Sequence, residues 1–314
     1  MIVVEHVTKE YTGKAVVNDI SFSIETGDIV GFIGANGAGK TTTMRMLTTF
    51  IPPTKGSIRI QGLDIIEDAE KIRQIVGYLP ENPPLYPELT IGRYMRFIAE
   101  LRQVEKPAVT IAKVLEQVGL KGWENTVIQS LSKGYKQRVG LAQAIIHQPK
   151  LLILDEPSTG LDPSQMVGIR NFIDELATDR TVVLSTHILP EVEKLCNRSL
   201  IIHKGKILAD GTVEDLQRRY QGYVLRVELV AEQAPLQVLS TLPNIVKVVL
   251  HQQRGSCYTV DICLSPEVDG AMEHDAVVAK VMQLSMEKSW KIRAMHKVDH
   301  SLEELYLSLV GAEK

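Results

Sequence analysis

Short apolar runs recur through the first two thirds of the chain and alternate with segments of helical periodicity. Residues 29–33, 151–154 and 181–185 are rich in apolar and β-branched side chains, as is typical of strands buried on both faces of a parallel sheet. Residues 1–28 instead predict short antiparallel strands, with a turn at residues 11–14. This alternation predicts an α/β fold in which helices cover a mostly parallel sheet.

A helical pattern replaces the strand pattern between residues 83 and 130. Apolar side chains recur there at intervals of three and four residues, in two sets: Ile91, Tyr94, Met95 and Ile98, and then Ile111, Val114, Leu115 and Val118. This spacing predicts helices with one apolar face. We therefore expect a helical subdomain, over about residues 83–130, to be inserted into the strand-rich part of the chain.

Alternation of apolar and polar positions marks the C-terminal part of the chain, from residue 223 onwards. It predicts strands over residues 223–229 and 258–264. Weaker patterns predict strands over residues 245–250 and 291–295, with a helix around Val277, Val281 and Leu284. The order strand, helix, strand, strand, helix, strand predicts a small α+β domain of the ferredoxin-like type. We expect the chain to divide into domains of residues 1–218 and 223–314.

A last helix is predicted over residues 301–310. One of its faces is apolar and carries Leu302, Leu305, Tyr306 and Leu309. This face either packs on the domain's own sheet, or it pairs two subunits or docks a partner protein. Because residues 223–314 contain no glycine-rich loop and no Cys/His or acidic cluster, we expect an interaction or regulatory role there and no catalysis.

Composition and charge are those of a globular protein that is soluble in water. Of the 314 residues 44% are hydrophobic and 23% charged, and the formal net charge of −3 gives no reason to expect a nucleic-acid partner. No apolar run approaches the ~20 residues needed to cross a bilayer, and no signal peptide is visible. The three cysteines lack metal-binding spacing. We expect a cytoplasmic protein with reduced thiols.

A glycine-rich loop of the form Gly-x4-Gly-Lys-Thr lies between the apolar run at residues 29–33 and a predicted helix. Its glycines allow backbone N–H groups to turn towards phosphates at the N-terminus of that helix. Lys40 is placed to reach the β- and γ-phosphates, and the Thr41 hydroxyl to bind Mg²⁺. The competing interpretation is a glycine-rich turn that only begins a helix. The residues expected to bind ATP here are Gly34, Ala35, Asn36, Gly37, Ala38, Gly39, Lys40, Thr41 and Thr42.

Two carboxylates, Asp155 and Glu156, directly follow the apolar run at residues 151–154. We expect both at the carboxyl edge of the sheet, where ligands bind in folds of this type. Asp155 is expected to hold Mg²⁺, and Glu156 to orient and polarise the attacking water. His187 follows the run at residues 181–185 and is expected to contact the γ-phosphate and this water. A lone histidine at such a position is more often a capping or surface residue.

Residues 131–138 open another predicted helix, which runs to about His147. Ser132 has the residue type of an N-cap. A free hydroxyl at a helix N-terminus also forms an anion site, which Gly134 is expected to leave open. Because the chain has its phosphate loop elsewhere, we expect Ser132 and Gly134 to bind the γ-phosphate of ATP held by a second subunit.

Taken together, these motifs resemble those of the ATP-binding subunits of ABC transporters, over about residues 1–218. The resemblance implies a P-loop NTPase fold, ATP and Mg²⁺ as cofactors, and an ATP-dependent head-to-tail dimer. In that dimer Ser132 and Gly134 of one copy complete the ATP site of the other, and residues 158–162 form the D-loop. Tyr11 is similar to the family's aromatic platform for adenine, the alternative being a surface tyrosine in a turn.

Two motifs depart from the family's pattern. Glu81 stands where the family usually has a glutamine that contacts Mg²⁺, and a carboxylate can bind the ion but cannot donate an amide hydrogen bond. The signature reads Leu-Ser-Lys-Gly-Tyr in place of Leu-Ser-Gly-Gly-Gln, so Lys133 and Tyr135 replace a glycine and a glutamine. With the additional C-terminal domain, these features resemble bacterial exporter ATPases of the gliding-motility and multidrug type.

The resemblance implies an ATPase that powers transport, in the direction of export, through a separate integral membrane permease. The helical subdomain would transmit the ATPase cycle to the permease and hold the chain at the inner face of the cell membrane. The alternative is a non-transport ATPase of the same family that acts on a cytoplasmic macromolecular complex. Such proteins usually carry two cassettes or a long coiled coil, and the sequence contains neither. A regulatory module without turnover is expected to lack Glu156 or His187, and both are present.

Overall fold

The computed structural model describes residues 1–216, 224–264, 270–298 and 301–311, without the side chains of residues 270–274. The chain divides into two units, Met1–Gly211 and Thr212–Lys314. The boundary that the sequence predicts, at residues 218–223, lies outside the described residues. The same is true of Tyr223, the first residue of a predicted strand.

An antiparallel sheet begins the first unit. Its strands follow the order β2-β1-β4-β5, and they are β1 (Ile2–Tyr11), β2 (Lys14–Ile24), β4 (Lys55–Ile60) and β5 (Leu63–Asp64). The turn between β1 and β2 contains Thr12 and Gly13, both with positive φ. These elements confirm the antiparallel strands and the turn predicted for residues 1–28.

A second, mostly parallel sheet carries the predicted apolar runs. Its order is β10-β9-β3-β8-β7-β6, and its strands are β3 (Ile29–Ile33), β6 (Val76–Leu79), β7 (Leu151–Asp155), β8 (Thr181–Thr186), β9 (Arg198–His203) and β10 (Lys206–Gly211). Only the pairing of β9 with β10 is antiparallel. All five residues of β7 and all six of β8 are buried, which explains their continuous apolar sequence.

The two sheets share one hydrophobic core. Side chains from β1, β2 and β4 pack together with side chains from β3, β7 and β9, and the rings of Phe22 and Phe32 meet with their centroids 5.8 Å apart. Burial of each large apolar side chain contributes roughly 1.5–3 kcal/mol. This core holds the ends of the parallel strands in fixed positions.

Helices surround the parallel sheet and form the inserted subdomain. They are α1 (Lys40–Leu47), α2 (Ala69–Ile75), α3 (Ile91–Leu101), α4 (Pro107–Gln117), α5 (Lys133–Ile145), α6 (Pro163–Ala177) and α7 (Leu189–Leu195). All eight apolar residues predicted to face inward over residues 83–130 are buried. Because α3 and α4 both contact α5, the helical subdomain extends beyond residue 130. Helix α5 ends two residues before His147.

The second unit is an antiparallel sheet with helices. Its elements are β11 (Val224–Val230), α8 (Leu236–Leu239), β12 (Ile245–Arg254), β13 (Cys257–Leu264), α9 (Gly270–Glu287), β14 (Lys291–Val298) and α10 (Leu302–Gly311). The sheet order β12-β13-β11-β14, with every pairing antiparallel, is that of a ferredoxin-like domain. The predicted order of strands and helices is therefore confirmed.

The apolar face of α10 is covered within the chain. Leu302 and Leu305 are 0% exposed, and Tyr306 and Leu309 are half-buried. This burial supports packing of the face inside the protein over its use as a docking surface. In the part of the chain that the structure describes, no helix combines the length and the hydrophobicity needed to cross a bilayer.

Candidate nucleotide-binding site

Four neighbouring strands bring the predicted site residues to one edge of the parallel sheet. The phosphate loop follows β3, His187 follows β8, the pair Asp155 and Glu156 ends β7, and Glu81 lies just after β6. In the sheet these strands lie side by side in the order β3-β8-β7-β6, and they run parallel. Their carboxyl ends therefore meet, as expected for a ligand site in an α/β fold.

The phosphate loop requires glycine at specific points. A Cβ on Gly34 would lie 2.5 Å from the carbonyl oxygen of Ile202, and one on Gly39 would lie 3.0 Å from that of Val16. Gly39 also has φ of 112° and precedes α1 without a side-chain cap. The first N–H groups of α1 therefore remain available to an anion.

Lys40 lies inside the loop and is 5% exposed. Its Nζ donates hydrogen bonds to the carbonyl oxygens of Gly34, at 2.7 Å, and Ala35, at 3.3 Å. It also lies 3.2 Å from Oε1 of Glu156, with which it forms a buried ion pair. The loop cation and the predicted general base are thus in direct contact.

Glu156 is held by β8 and the residue that follows it closely, His187, and by its own loop through Thr159. Its backbone has φ of 49°, a conformation that is uncommon for a residue other than glycine. Its N–H donates to the carbonyl oxygen of Ser185 at 3.0 Å. Oε2 accepts a hydrogen bond from Thr159 at 3.0 Å and lies 2.8 Å from Nδ1 of His187. The carboxylate is thereby oriented through Oε2, whereas Oε1 is buried without a hydrogen-bond partner beside the Lys40 ammonium.

Asp155 is 1% exposed and only partly hydrogen-bonded. Oδ1 accepts hydrogen bonds from the hydroxyls of Thr41, at 3.2 Å, and Ser185, whereas Oδ2 has no partner. Burial raises the pKa of Asp155; the two hydroxyls oppose this shift, and the charges of Glu156 and Glu81 add to it. A buried carboxylate oxygen without a partner is costly, so the site favours a cation there.

The donor set around Asp155 fits Mg²⁺. This ion prefers oxygen ligands and is usually held by one or two carboxylates together with substrate phosphates and water. Thr41, Asp155 and Glu81 supply such oxygens. No group of three or more His, Cys, Asp or Glu side chains that could hold a metal occurs among the described residues.

A cavity of about 300 Å³ joins these groups. Its lining includes most of the predicted site and two residues that sequence reasoning missed, Val16 and Thr159; the full set is Val16, Asn36, Gly37, Gly39, Lys40, Thr41, Thr42, Glu81, Glu156, Thr159 and His187. Thr159 could have been found from the sequence, because it lies in the predicted D-loop. Ser185, which hydrogen-bonds Asp155, could also have been found, because it is a polar residue in an otherwise apolar run. Val16 left no sequence signal, because it reaches the loop from the antiparallel sheet.

Tyr11 does not line this cavity. Its side chain is 41% exposed at the end of β1, and Nζ of Lys9 lies 5.4 Å from the centroid of its ring. One ring face is thus covered by a cation. The assignment of Tyr11 to adenine remains a prediction.

Ser132 and Gly134 also lie away from the cavity lining, at the start of α5. The Ser132 side chain is exposed and makes no capping hydrogen bond to the helix. The prediction that Gly134 leaves the surface open is wrong for this conformation, since Gly134 is buried and a Cβ there would lie 2.2 Å from Oε1 of Gln165. No sequence pattern indicates this cover, because Gln165 belongs to a different helix, α6.

The two unusual residues of the signature make different contacts. The ring of Tyr135 stacks on Trp123, with centroids 4.5 Å apart and an angle of 22° between the planes. Tyr135 therefore packs within the helical subdomain. The side chain of Lys133 reaches Gly160, where a Cβ would lie 2.5 Å from Nζ.

Comparison with known proteins agrees with this site. A family model described as ABC transporter matches residues 17–159. The bacitracin transport ATP-binding protein BcrA of Bacillus licheniformis is 34% identical over 309 residues, covering 97% of this chain and 95% of that protein. The linearmycin resistance ATP-binding protein LnrL of Bacillus subtilis (strain 168) is 32% identical over 320 residues, covering 99% of this chain and 98% of that protein.

A solved structure from the same family is similar to this chain. It is described as an ATP-binding subunit of an ABC transporter, has 32% sequence identity and a TM-score of 0.66, and covers 71% of this chain and 94% of its own. The fold, the phosphate loop with its carboxylates, and relatives that align over nearly the full length all agree. The chain therefore belongs to the ATP-binding proteins of ABC transporters, and it is an ATPase.

Proposed function

We propose that this chain hydrolyses ATP to power export through a separate integral membrane permease. The supporting observation is that the match to BcrA, a protein named for bacitracin transport, extends over 97% of this chain and so includes both units. LnrL, which matches over a similar length, is named for resistance to linearmycin. A transporter produces resistance to a toxic compound when it moves that compound out of the cell. The name of LnrL therefore favours export as the direction of transport.

ATP binding in this proposal begins at the phosphate loop. Residues 34–42 surround the phosphates, and the N–H groups at the start of α1 add their field. Lys40 then exchanges its contact with Glu156 for the β- and γ-phosphates, because a phosphate offers a stronger charge-assisted hydrogen bond. Tyr11 supports adenine on the ring face that Lys9 leaves free.

Thr41, Asp155 and Glu81 would hold Mg²⁺. The bound ion would neutralise the negative charge that develops on the phosphates during hydrolysis. The unpartnered Oδ2 of Asp155 supports this assignment.

Glu156 acts on the attacking water once Lys40 has left it. Its Oε2 is fixed by Thr159 and His187, and its carboxylate can accept a proton from water as that water attacks the γ-phosphate. His187 is 43% exposed and lines the cavity, so it can contact the γ-phosphate while it orients Glu156.

A second copy completes the site. Ser132 carries a free hydroxyl at a helix N-terminus, yet it does not line the phosphate cavity of its own subunit. We infer that Ser132 and Gly134 bind the γ-phosphate held by the other subunit in a head-to-tail dimer. ATP closes this dimer, hydrolysis opens it, and the helical subdomain transmits the motion to the permease at the inner face of the membrane.

Cell fractionation combined with efflux tests the proposal. Host cells that carry the parent chain or Glu156→Gln are separated into membrane and soluble fractions, and efflux of labelled bacitracin and linearmycin is measured. We expect the chain in the membrane fraction until a mild detergent releases it together with an integral membrane protein. Efflux of at least one antibiotic-like compound should be lost in Glu156→Gln.

The control is Asp174→Asn, an exposed substitution on α6, which should retain efflux. A chain that sediments with ribosomes or another soluble complex, and that leaves efflux unchanged when inactivated, would contradict transport. That result would favour the non-transport ATPase instead.

A further inference from the structure

Two neighbouring segments of the same subunit cover each other's glycines. The carboxamide of Gln165 lies on Gly134, where a Cβ would come within 2.2 Å of Oε1 and 3.1 Å of Nε2. The side chain of Lys133 lies on Gly160, where a Cβ would come within 2.5 Å of Nζ. A Cβ on either glycine would force the side chain above it to move.

Gln165 combines a fixed backbone with a free side chain. It lies in the first turn of α6, where Oδ1 of Asp162 accepts hydrogen bonds from the N–H groups of Ser164, at 3.0 Å, and Gln165, at 2.9 Å. Within the described residues no hydrogen bond holds the carboxamide itself, and the residue is half-buried. The Gln165 side chain can therefore rotate while the helix remains in place.

Oε1 of Gln165 lies at the N-terminus of α5, where unpaired N–H groups can bind an anion. Gly134 belongs to the first turn of α5, where N–H groups lack intrahelical partners and the Ser132 hydroxyl provides no cap. The amide oxygen of Gln165 thus lies against Gly134, at the helix terminus where a phosphate oxygen of the partner's ATP is expected. Because the carboxamide is neutral and, within the described residues, accepts no hydrogen bond from the helix N–H groups, a phosphate can displace it.

We propose that Gln165 covers the trans phosphate site in the nucleotide-free subunit and has to swing away before two subunits close on ATP. This inference rests on the proposed head-to-tail dimer. Gln165 is in this sense a positioning residue that acts through Gly134. It sets the ATP concentration at which the dimer closes, whereas the rate of hydrolysis within a closed dimer does not depend on it.

Dimer formation in the full-length Glu156→Gln protein provides the test. The ATP concentration for half-maximal dimer is measured by size-exclusion chromatography with light scattering. Adding Gln165→Ala should lower this concentration about two- to tenfold, the effect of removing one weak polar contact. Adding Gln165→Glu should raise it, because that side chain has the same reach but places a negative charge where the phosphate binds. Val167→Ala, on the exposed side of α6 at 48% exposure, should change nothing.

A second readout separates gating from a merely structural role. With Glu156 intact, Gln165→Ala should lower KM for ATP and leave kcat unchanged. If Gln165→Ala and Gln165→Glu shift the ATP concentration for half-maximal dimer in the same direction, or if neither shifts it, the role of Gln165 is overturned and the proposed dimer still stands. Absence of an ATP-dependent dimer in every variant would overturn the proposed dimer and, with it, this inference.

Discussion

At the scale of single residues, the ion pair between Lys40 and Glu156 connects ATP binding to hydrolysis. The pair is buried, with 3.2 Å between Nζ and Oε1. In the proposed cycle phosphate oxygens compete for Lys40, and Glu156 keeps its contacts with Thr159 and His187. Arrival of ATP would therefore free the proposed base from its ion pair.

Glu156→Gln should keep ATP binding and lose turnover. The amide retains the shape of the side chain but cannot accept a proton from water, so we expect kcat to fall about 10²- to 10⁴-fold. Phosphate release measures turnover, and a fluorescent ATP analogue measures binding. Lys40→Ala should show the opposite pattern, with binding itself weakened. Hydrolysis by Glu156→Gln at the parent rate would remove Glu156 from the role of base.

Asp155→Asn should stabilise the nucleotide-free protein. Since burial raises the pKa of Asp155 above its usual value of 3.8, stability falls as pH rises from 3.8 through the raised pKa and stays reduced above it. At pH 7 the neutral amide avoids this penalty, so we expect unfolding to require a higher urea concentration. Asp174→Asn, at an exposed position, is the matched control.

The same Asp155→Asn substitution should weaken the response to Mg²⁺. ATPase activity at a range of Mg²⁺ concentrations should shift towards higher concentration, because an anionic ligand is lost. A variant that is both less stable and unchanged in Mg²⁺ dependence would contradict the assignment of Asp155.

At the scale of elements, a histidine that resists protonation lies just after the end of α5. Nε2 of His147 lies 3.1 Å from the carbonyl oxygen of Val76, and Nδ1 is buried without a partner. Burial lowers the pKa of His147 to about 4, with a further contribution from the charge of Arg102 and an opposing one from the Val76 hydrogen bond. The segment that follows α5 therefore packs around a neutral imidazole ring.

Acid should destabilise the protein through His147. Between pH 6.5 and about 4 the unfolded chain binds a proton that the folded protein excludes, so stability is lost as pH falls through this window. We expect a loss of about 2 kcal/mol between pH 7 and pH 5 from this residue. His147→Leu should remove that part of the pH dependence in urea unfolding, whatever its effect at pH 7. Equal slopes for parent and variant would show that His147 titrates normally.

At the scale of the whole molecule, catalysis and the C-terminal unit occupy separate cores. Every residue placed in the ATP site lies in Met1–Gly211, whereas Leu225, Val227 and Ile262 belong to the core of the second unit. Relatives named for transport or resistance nevertheless align over both units. The second unit is thus expected to serve assembly or regulation.

Truncation after Gln221 should therefore leave ATP hydrolysis intact. The isolated cassette retains its two sheets and their shared core, so we expect a kcat similar to that of the full chain. Permease-coupled activity or ATP-dependent dimerisation should be weakened. If the truncated protein supports both as the full chain does, the C-terminal unit is dispensable and its proposed role is wrong.

The elements and the chemistry of this protein were determined by local sequence. Short apolar runs rich in β-branched residues are typical of strands in a parallel sheet covered on both faces, and such strands bring their carboxyl ends together. Because the phosphate loop, the pair Asp155 and Glu156, and His187 directly follow those runs, their meeting was predictable. The period of two after residue 223 similarly determined the antiparallel sheet of the second unit.

Only the tertiary structure decided which side chains from different elements lie against each other. The contact of Lys40 with Glu156, the cover of Gly134 by Gln165 and the stacking of Tyr135 on Trp123 each join separate segments. Periodicity records which face of an element is buried, but it carries no information on the side chain opposite. That choice depends on the distance between packed elements and on the rotamers that close packing allows.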